Sequence, residues 1–421
     1  MRGGFQIAGP RGDLRERIAL NSIIKTQVMK KYVILTLALA ANGLIAHGQE
    51  QIAVQRVGDG LTSLSSAAID TAILTFDANT FTAAGTFNLP TSGAARSTDS
   101  GSATSNGYFN FLNGRYTIGG HDAAVGTASV SGLNNKTVSI YDQDFILVEN
   151  IDAPTGGPSG APPSPWSGNN FRSAVTANGT DIFGSGNSSG SPNTGGIWHY
   201  STATTTWTRV SNTVTNTRNV EIYDGNLYYA SGSGANGIYS LGAVSGLDLS
   251  ANDLNTATLM ISATTPYGFY IDNTNGVAFV ASDAGATNGG LFRFDYNTVT
   301  STWDETWKFR LDTGTASAFT ASAASGDITT VRGLSGFFDS LTSTYTIYAT
   351  TNQTSNNWLI AFSDTLSTSI GAGSSFTKVA QAGTNYVFRG VDAVPEPSAT
   401  LAVLTGLGIA ALRRRRRPVR G

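Results

Sequence analysis

The chain has 421 residues, a formal net charge of −2 and only 13% charged residues. That balance provides no global attraction to nucleic acid, and the absence of cysteine excludes disulfides and thiolate metal sites. The wealth of Gly, Ser, Thr and Asn, with Tyr, Phe and Val interspersed and few segments at helical spacing, predicts short strands joined by turns, an all-β fold.

At the N-terminus, the stretch "MKKYVILTLALAANGLIAHGQ" starts at Met29 with Lys30 and Lys31. An apolar run follows from Tyr32 to Ala41, and then Ala46 and Gly48 stand at positions −3 and −1 of a cleavage site. These are the three parts of a secretory signal peptide. Residues 29–48 are therefore expected to be removed after Gly48, with translation starting at Met29. Residues 1–28 then read as an upstream start assigned too early, and the Arg11-Gly12-Asp13 tripeptide within them as chance.

The mature chain opens in the middle of a structural unit, with "QIAVQRVGDG" from Gln51 and "AILTFDA" from Ala72. A first unit, "GYFNFLNGRYTIGG", begins at Gly107. The Pro/Gly-rich stretch Pro154 to Trp166 reads as a long surface loop between units. Then "FRSAVTANGTDIFGSG", "TRNVEIYDGNLYYASGSG" and "YGFYIDNTNGVAFVASDAG" superpose from Phe171, Thr217 and Tyr267. In each, a strand leads into a turn and a second strand ends at Ser185, Ser231 or Ser282; a Gly/Asn-rich loop and an aromatic third strand follow. The turn dipeptides Asn113-Gly114, Asn178-Gly179, Asp224-Gly225 and Asn275-Gly276 tolerate the positive φ of two-residue hairpins. Steps of 46 and 51 residues separate Gly179, Gly225 and Gly276, a spacing that fits one four-stranded blade per repeat. A later unit starts at Val331, and a half-unit, "YVFRGVDAV", starts at Tyr386. Joining the two terminal half-units closes a β-propeller over residues 49–393 and removes its open edges. The count is six blades, or seven if the segments of about 65 residues after Gly107 and Tyr267 hide further strands.

Few residues carry catalytic chemistry. Gly186-Asn187-Ser188-Ser189-Gly190 matches a nucleophile elbow and Gly232 to Gly237 matches a dinucleotide loop, yet both motifs need a helix to follow and a strand follows instead. His199 lies within an aromatic strand, and His121 and Asp122, as strand neighbours, point to opposite faces. Asp272 to Gly276 reads as a turn rather than a calcium loop. No cofactor, metal or catalytic residue is expected. The recurring polar feature is an arginine near the start of the first strand of several units: Arg172, Arg218, Arg332 and Arg389. In propellers that strand lines the central channel, so four arginines converging there would grip carboxylates or sulfates through forked hydrogen bonds. The competing reading has each arginine tie down its own inter-blade loop.

The chain ends in Val394, the triplet Pro395-Glu396-Pro397, an apolar run from Ala399 to Leu412, and Arg413, Arg414, Arg415, Arg416 and Arg417. The run is shorter than the ~20 residues that comfortably span a bilayer, and the arginines would hold its end on the cytoplasmic side. Triplet, apolar run and basic cluster, in that order over residues 394–421, resemble the PEP-CTERM sorting signal of Gram-negative bacteria. The resemblance implies processing near the triplet by the membrane protease exosortase and delivery to the cell surface or extracellular matrix. The expected partners are signal peptidase and an exosortase-type protease in transit, with transient inner-membrane association, and then an extracellular polysaccharide; no nucleic acid is expected. The expected function is that of an exported, non-enzymatic propeller that binds a ligand or extracellular polymer. The alternatives are a polysaccharide lyase or glycosidase and a purely structural biofilm or surface protein.

Overall fold

The protein is described by a computed structural model at residues 51–155, 164–312, 314–315, 317–322, 329–367 and 370–394. The signal peptide of 29–48 and the sorting tail from Pro395 lie outside the described residues. Within them the chain is all-β, and helical backbone is limited to one turn at Gly285–Asn288 and the 3-10 turns Val130–Gly132 and Val244–Gly246. None of the described helices is long and apolar enough to cross a membrane.

Four sheets have four antiparallel strands each, and a fifth joins nine. Sheet I takes its first strand from the far end of the chain: Val387–Val394 pairs with Gln51–Val57 over Gln51↔Val394 to Val57↔Val387, and Thr71–Asp77 and Ala83–Asn88 follow. Sheet II runs Phe109–Leu112, Arg115–His121, Lys136–Asp142, Leu147–Asp152. Sheet III runs Phe171–Thr176, Asp181–Gly186, Gly196–Ser201, Thr206–Ser211, and sheet IV runs Thr217–Tyr223, Asn226–Ser231, Gly237–Ala243, Thr258–Ile261. Sheet V has two arms. The first is Pro266–Asp272, Val277–Ser282, Gly290–Asn297 and Thr302–Asp312; the second is Val331–Asp339, Thr344–Thr351, Trp358–Thr365 and Ser375–Gln381. Ala318–Ser322 pairs with the outer strand of both.

The sheets pack face to face in a propeller-like arrangement. Val138 and Ile140 of sheet II meet Phe171 and Ile182 of sheet III, and Val175 and Phe183 of sheet III meet Val220 and Tyr229 of sheet IV. Tyr228 and Ile238 then meet Phe269 and Val280 of sheet V. The two arms of sheet V enclose Phe279, Trp307, Tyr345 and Phe362. The second arm packs Tyr348 and Leu359 against Ile52 and Phe388 of sheet I, whose Ala53 and Ile73 meet Phe109 and Ile118 of sheet II. The circuit returns to its start. Burial on both faces explains why strands such as Val277–Ser282 read as unbroken apolar runs without polar alternation. Each fully buried side chain of this size contributes about 1.5–3 kcal/mol.

The first strands of the sheets surround a common axis and touch directly. Tyr108 N donates to Arg172 O at 3.1 Å and Gly390 N to Gly107 O at 2.9 Å, while Thr350 Oγ1 donates to Arg389 O at 2.7 Å. This closeness needs glycine at two positions: a Cβ on Gly390 would lie 2.7 Å from Gly107 O, and one on Gly268 would lie 2.8 Å from Arg332 O.

Two details depart from the sequence reading. Asn113-Gly114 (φ 52° and 76°) and Asp224-Gly225 (φ 49° and 74°) form the expected two-residue turns. Asn178-Gly179 and Asn275-Gly276 instead sit in four-residue connections, because side chains organise a wider loop there. Asn178 Oδ1 accepts from Thr180 N and Asp181 N at 2.9 and 2.8 Å, and Asp272 Oδ1 accepts from Thr274 N and Asn275 N at 2.9 and 3.1 Å. The second departure is Trp166, read as the end of a surface loop. It is fully buried, stacked on Phe171 at 4.4 Å, with Nε1 donating to Gly196 O at 3.0 Å. The indole fills space left by two glycines, Gly184 and Gly186.

Candidate functional site

At one end of the axis, a short pattern recurs at the start of the first strands: Tyr108-Phe109, Arg172-Ser173, Arg218-Asn219, Tyr267-Gly268, Arg332-Gly333 and Arg389-Gly390. The four arginines expected from sequence thus share one ring with two tyrosines that stand in the same register. Tyr108 and Tyr267 come from sheets three places apart in the circuit, and their ring centroids are 6.5 Å apart, so they meet across the axis. The guanidinium of Arg218 lies 3.6 Å from the centroid of the Tyr267 ring and that of Arg332 lies 5.7 Å away, within range of cation–π attraction.

The arginines are not equally engaged. Arg172 is held by Ser105 Oγ (3.0 Å), Asn216 Oδ1 (2.5 Å) and Thr217 O (2.7 Å). Arg332 donates to Asp283 Oδ2 and Asn352 O at 2.8 and 2.7 Å. These two tie down loops, as the competing reading expects. Arg218 spends only Nη2, on Gly232 O at 3.3 Å, while its Nη1 stands 4.0 Å from Asp283. Arg389 spends only Nη2, on Ser100 O and Gly101 O at 3.3 and 3.0 Å. In both, Nε and Nη1 are buried without a hydrogen-bond partner among the described residues. Arg218 and Arg389 are 8% and 5% exposed, so these donors do not reach bulk water either. A buried unsatisfied donor on a charged group costs more than the ~1–3 kcal/mol of a neutral one.

The local field is cationic, because four guanidinium charges face the carboxylates of Asp283 and Asp99. Burial pushes Arg172 down to about 9, helped by the neighbouring Arg218 charge. Burial also brings Arg389 down to about 10 against the pull of Asp99. The Tyr108 hydroxyl is driven up by burial and stays neutral. A small recess lies beside the ring, lined by Thr104, Tyr108, Arg332, Thr351, Val387 and Arg389 among others.

Behind Arg389 lies a second polar cluster. His121 Nδ1 stands 3.6 Å from Asp99 Oδ1, which accepts from Asn106 Nδ2 at 3.0 Å. His121 is held well below the usual imidazole range by burial and by Lys136, and Lys136 is pushed down to about 7 by burial. Asp122, the sequence neighbour of His121, turns the other way to pair with Arg96. His199 pairs with Asp181 at 2.8 Å, away from the ring. The Gly-rich loops from Gly186 and Gly232 lead into strands. Among the described residues no three His, Cys, Asp or Glu side chains gather as a metal site.

No family model matches this chain, and no curated protein resembles it in sequence. Among solved structures it is similar to a putative 6-phosphogluconolactonase from Bacteroides fragilis (TM-score 0.41, 12% identity, 83% of this chain and 99% of that one). It is likewise similar to a chain of a nidogen/laminin complex (0.39, 10%, 81% and 98%) and to a periplasmic gluconolactonase from Pseudomonas aeruginosa (0.40, 9%, 82% and 100%).

Proposed function

We propose that the protein is an exported six-bladed β-propeller that holds an acidic group of an extracellular polymer at the arginine–tyrosine ring. Six is the count when the nine-stranded sheet is taken as two blades joined through Ala318–Ser322. The observation that carries the binding reading is the pair Arg218 and Arg389, each with buried Nε and Nη1 groups that lack a hydrogen-bond partner among the described residues. A carboxylate or sulfate oxygen satisfies such donors through two parallel hydrogen bonds. Arg172 and Arg332, spent on their loops, keep the ring in shape. Tyr108 and Tyr267, both buried, wall the ring, and the Tyr267 face holds the Arg218 guanidinium in place.

The route to the surface rests on the sequence: signal peptide 29–48, then the tail from Pro395, whose resemblance to the PEP-CTERM signal supports processing by an exosortase-type protease. Changing Pro395-Glu396-Pro397 to alanines is expected to trap the full-length protein in the inner membrane. Identical distribution and mass of mutant and wild type in a host with the protease would leave the run from Ala399 to Leu412 as a plain anchor.

The binding test is a glycan array of neutral, uronate-bearing and sulfated polysaccharides, read with wild type and with Arg218→Gln and Arg389→Gln. Acidic glycans should bind, neutral ones should not, and each variant should lose about tenfold, the cost of ~1.4 kcal/mol. Binding that ignores both substitutions would refute the ring as the site. Release of reducing sugar in the same incubation would favour a polysaccharide-degrading enzyme, and no binding at all a structural surface protein.

A further inference from the structure

Deeper along the axis, the first strands carry a feature that their spacing in sequence hides. Glu221 and Asp392 each stand three residues beyond a ring arginine, Arg218 and Arg389, on sheets IV and I. Asp392 Oδ2 accepts from Phe111 N at 2.5 Å, and its Oδ1 accepts from Ser335 Oγ and Ala393 N at 2.6 and 2.9 Å. Glu221 Oε1 accepts from Asn219 Nδ2 at 2.7 Å. The two carboxylates feel each other's charge, and among the described residues no lysine, arginine or histidine faces either of them. The other titratable groups in range are the phenols of Tyr223 and Tyr116.

Asn110 supplies an independent observation. It is 2% exposed, and its Nδ2 donates to Ala174 O on sheet III at 2.7 Å and to Val220 O on sheet IV at 3.1 Å. A side chain of sheet II that reaches sheet IV crosses the axis. Its backbone neighbour Phe111 holds Asp392, and the peptide it reaches leads directly into Glu221, so the amide lies between the anchoring points of the two carboxylates. With Nδ2 committed to sheets III and IV, Oδ1 is buried without a hydrogen-bond partner among the described residues. An amide oxygen is an acceptor only. Another acceptor among two carboxylates calls for a positive ligand.

We infer that Glu221, Asp392 and Asn110 Oδ1 form a site for a hard divalent cation of the calcium kind inside the central channel. All the donors are oxygen, which suits calcium and not a thiolate- or imidazole-seeking metal. Two carboxylates neutralise one divalent charge, and water or backbone carbonyls would complete the six to eight ligands. A site with only two carboxylates belongs in the weak range, with a dissociation constant of about 10⁻⁴–10⁻³ M, typical of extracellular modules.

The test uses the purified full chain freed of metal with EDTA. Titration with CaCl2 at pH 7.5 should show one calcium per chain, and millimolar calcium should raise the melting temperature by several degrees. Terbium should give luminescence on excitation of the channel tyrosines, and calcium should quench it by competition, a readout that needs no variant. Glu221→Gln should abolish both responses without lowering the melting temperature in EDTA, since it removes a repelling charge, and Asp392→Asn should abolish them at some cost in stability, since its amide turns a donor onto one of the N–H or O–H groups that Asp392 now accepts from. Asn110→Ala should weaken calcium binding about tenfold. A folded wild type that shows neither response up to 10 mM calcium would overturn the inference. So would a calcium response that survives in the Glu221→Gln/Asp392→Asn double variant, or a melting temperature that follows pH alone and ignores calcium, the mark of a shared proton.

Discussion

Replacing Trp166 by alanine is expected to destabilise the protein by about 3–5 kcal/mol, the usual range for a buried tryptophan. Its contacts place it near the top of that range. The indole stacks on Phe171 at 4.4 Å and meets the edges of Trp207 and Trp198 at 5.7 and 6.5 Å, each such pair adding about 0.5–1.5 kcal/mol. Its Nε1 bond to Gly196 O adds about 0.5–1.5 kcal/mol more. That carbonyl keeps a second donor, Thr217 Oγ1 at 3.2 Å, so no orphaned acceptor enlarges the loss. The cavity, however, has little to refill it, because the indole rests on Gly184 and Gly186, which carry no side chain. Trp166→Phe should cost less, about 1–3 kcal/mol, by keeping a ring against Phe171 while losing the hydrogen bond. Urea unfolding followed by far-UV circular dichroism should show a lower midpoint for the alanine variant at an unchanged slope. A loss below about 1 kcal/mol would refute the placement of this side chain between sheets II and III.

Two further expectations follow from the channel. Gly390→Ala drives a Cβ to within 2.7 Å of the Gly107 carbonyl and should cost at least about 1–3 kcal/mol in the same assay, whereas Gly371→Ala, with nothing within 4 Å, should stay within about 0.5 kcal/mol. Burial raises the Asp392 carboxyl to about 6. A raised carboxyl binds its proton more tightly in the folded state, so in EDTA its contribution to stability is full below the unfolded value near 4 and is lost as pH rises through about 6. Melting temperatures in EDTA should therefore fall between about pH 4 and 6, and Asp392→Asn should flatten that slope; an unchanged slope in the variant would assign it to other groups.

Much of the fold is visible in the one-dimensional chain because a blade is a local object: its hairpins form between neighbours, and Asn113-Gly114 and Asp224-Gly225 mark them by backbone preference alone. The turns that misled are those where Asn178 and Asp272 bind the backbone themselves, an outcome that dipeptide identity does not encode. Trp166 was misplaced because a Pro/Gly-rich neighbourhood signals exposure on average, whereas its own size calls for burial. In the ring, the arginines stood out as the same residue in the same register. Tyr108 and Tyr267 occupy that register too, and only aligning position instead of residue type reveals them. Glu221 and Asp392 become neighbours only through closure around the axis, and Asp99 meets His121 through the isolated bridge Thr98↔His121, outside the repeat pattern, so no local pattern announces either pair. The ninth strand of sheet V, Ala318–Ser322, belongs to no repeat and escapes periodicity for that reason.

The closure of sheet I also sets an order of events. Gln51–Val57 is made long before its inner partner, Val387–Val394. Throughout synthesis one rim of that early strand offers bare N–H and C=O groups, a template for pairing with other chains. This contact spans the first and last of the described strands and carries the largest loop-closure entropy among them, so it forms late and slowly. Arg389 and Asp392 ride on the same late strand. A chain truncated before Val387 consequently has neither a finished ring nor a finished channel, and this late strand acts as the latch that turns a row of folded blades into a closed ring.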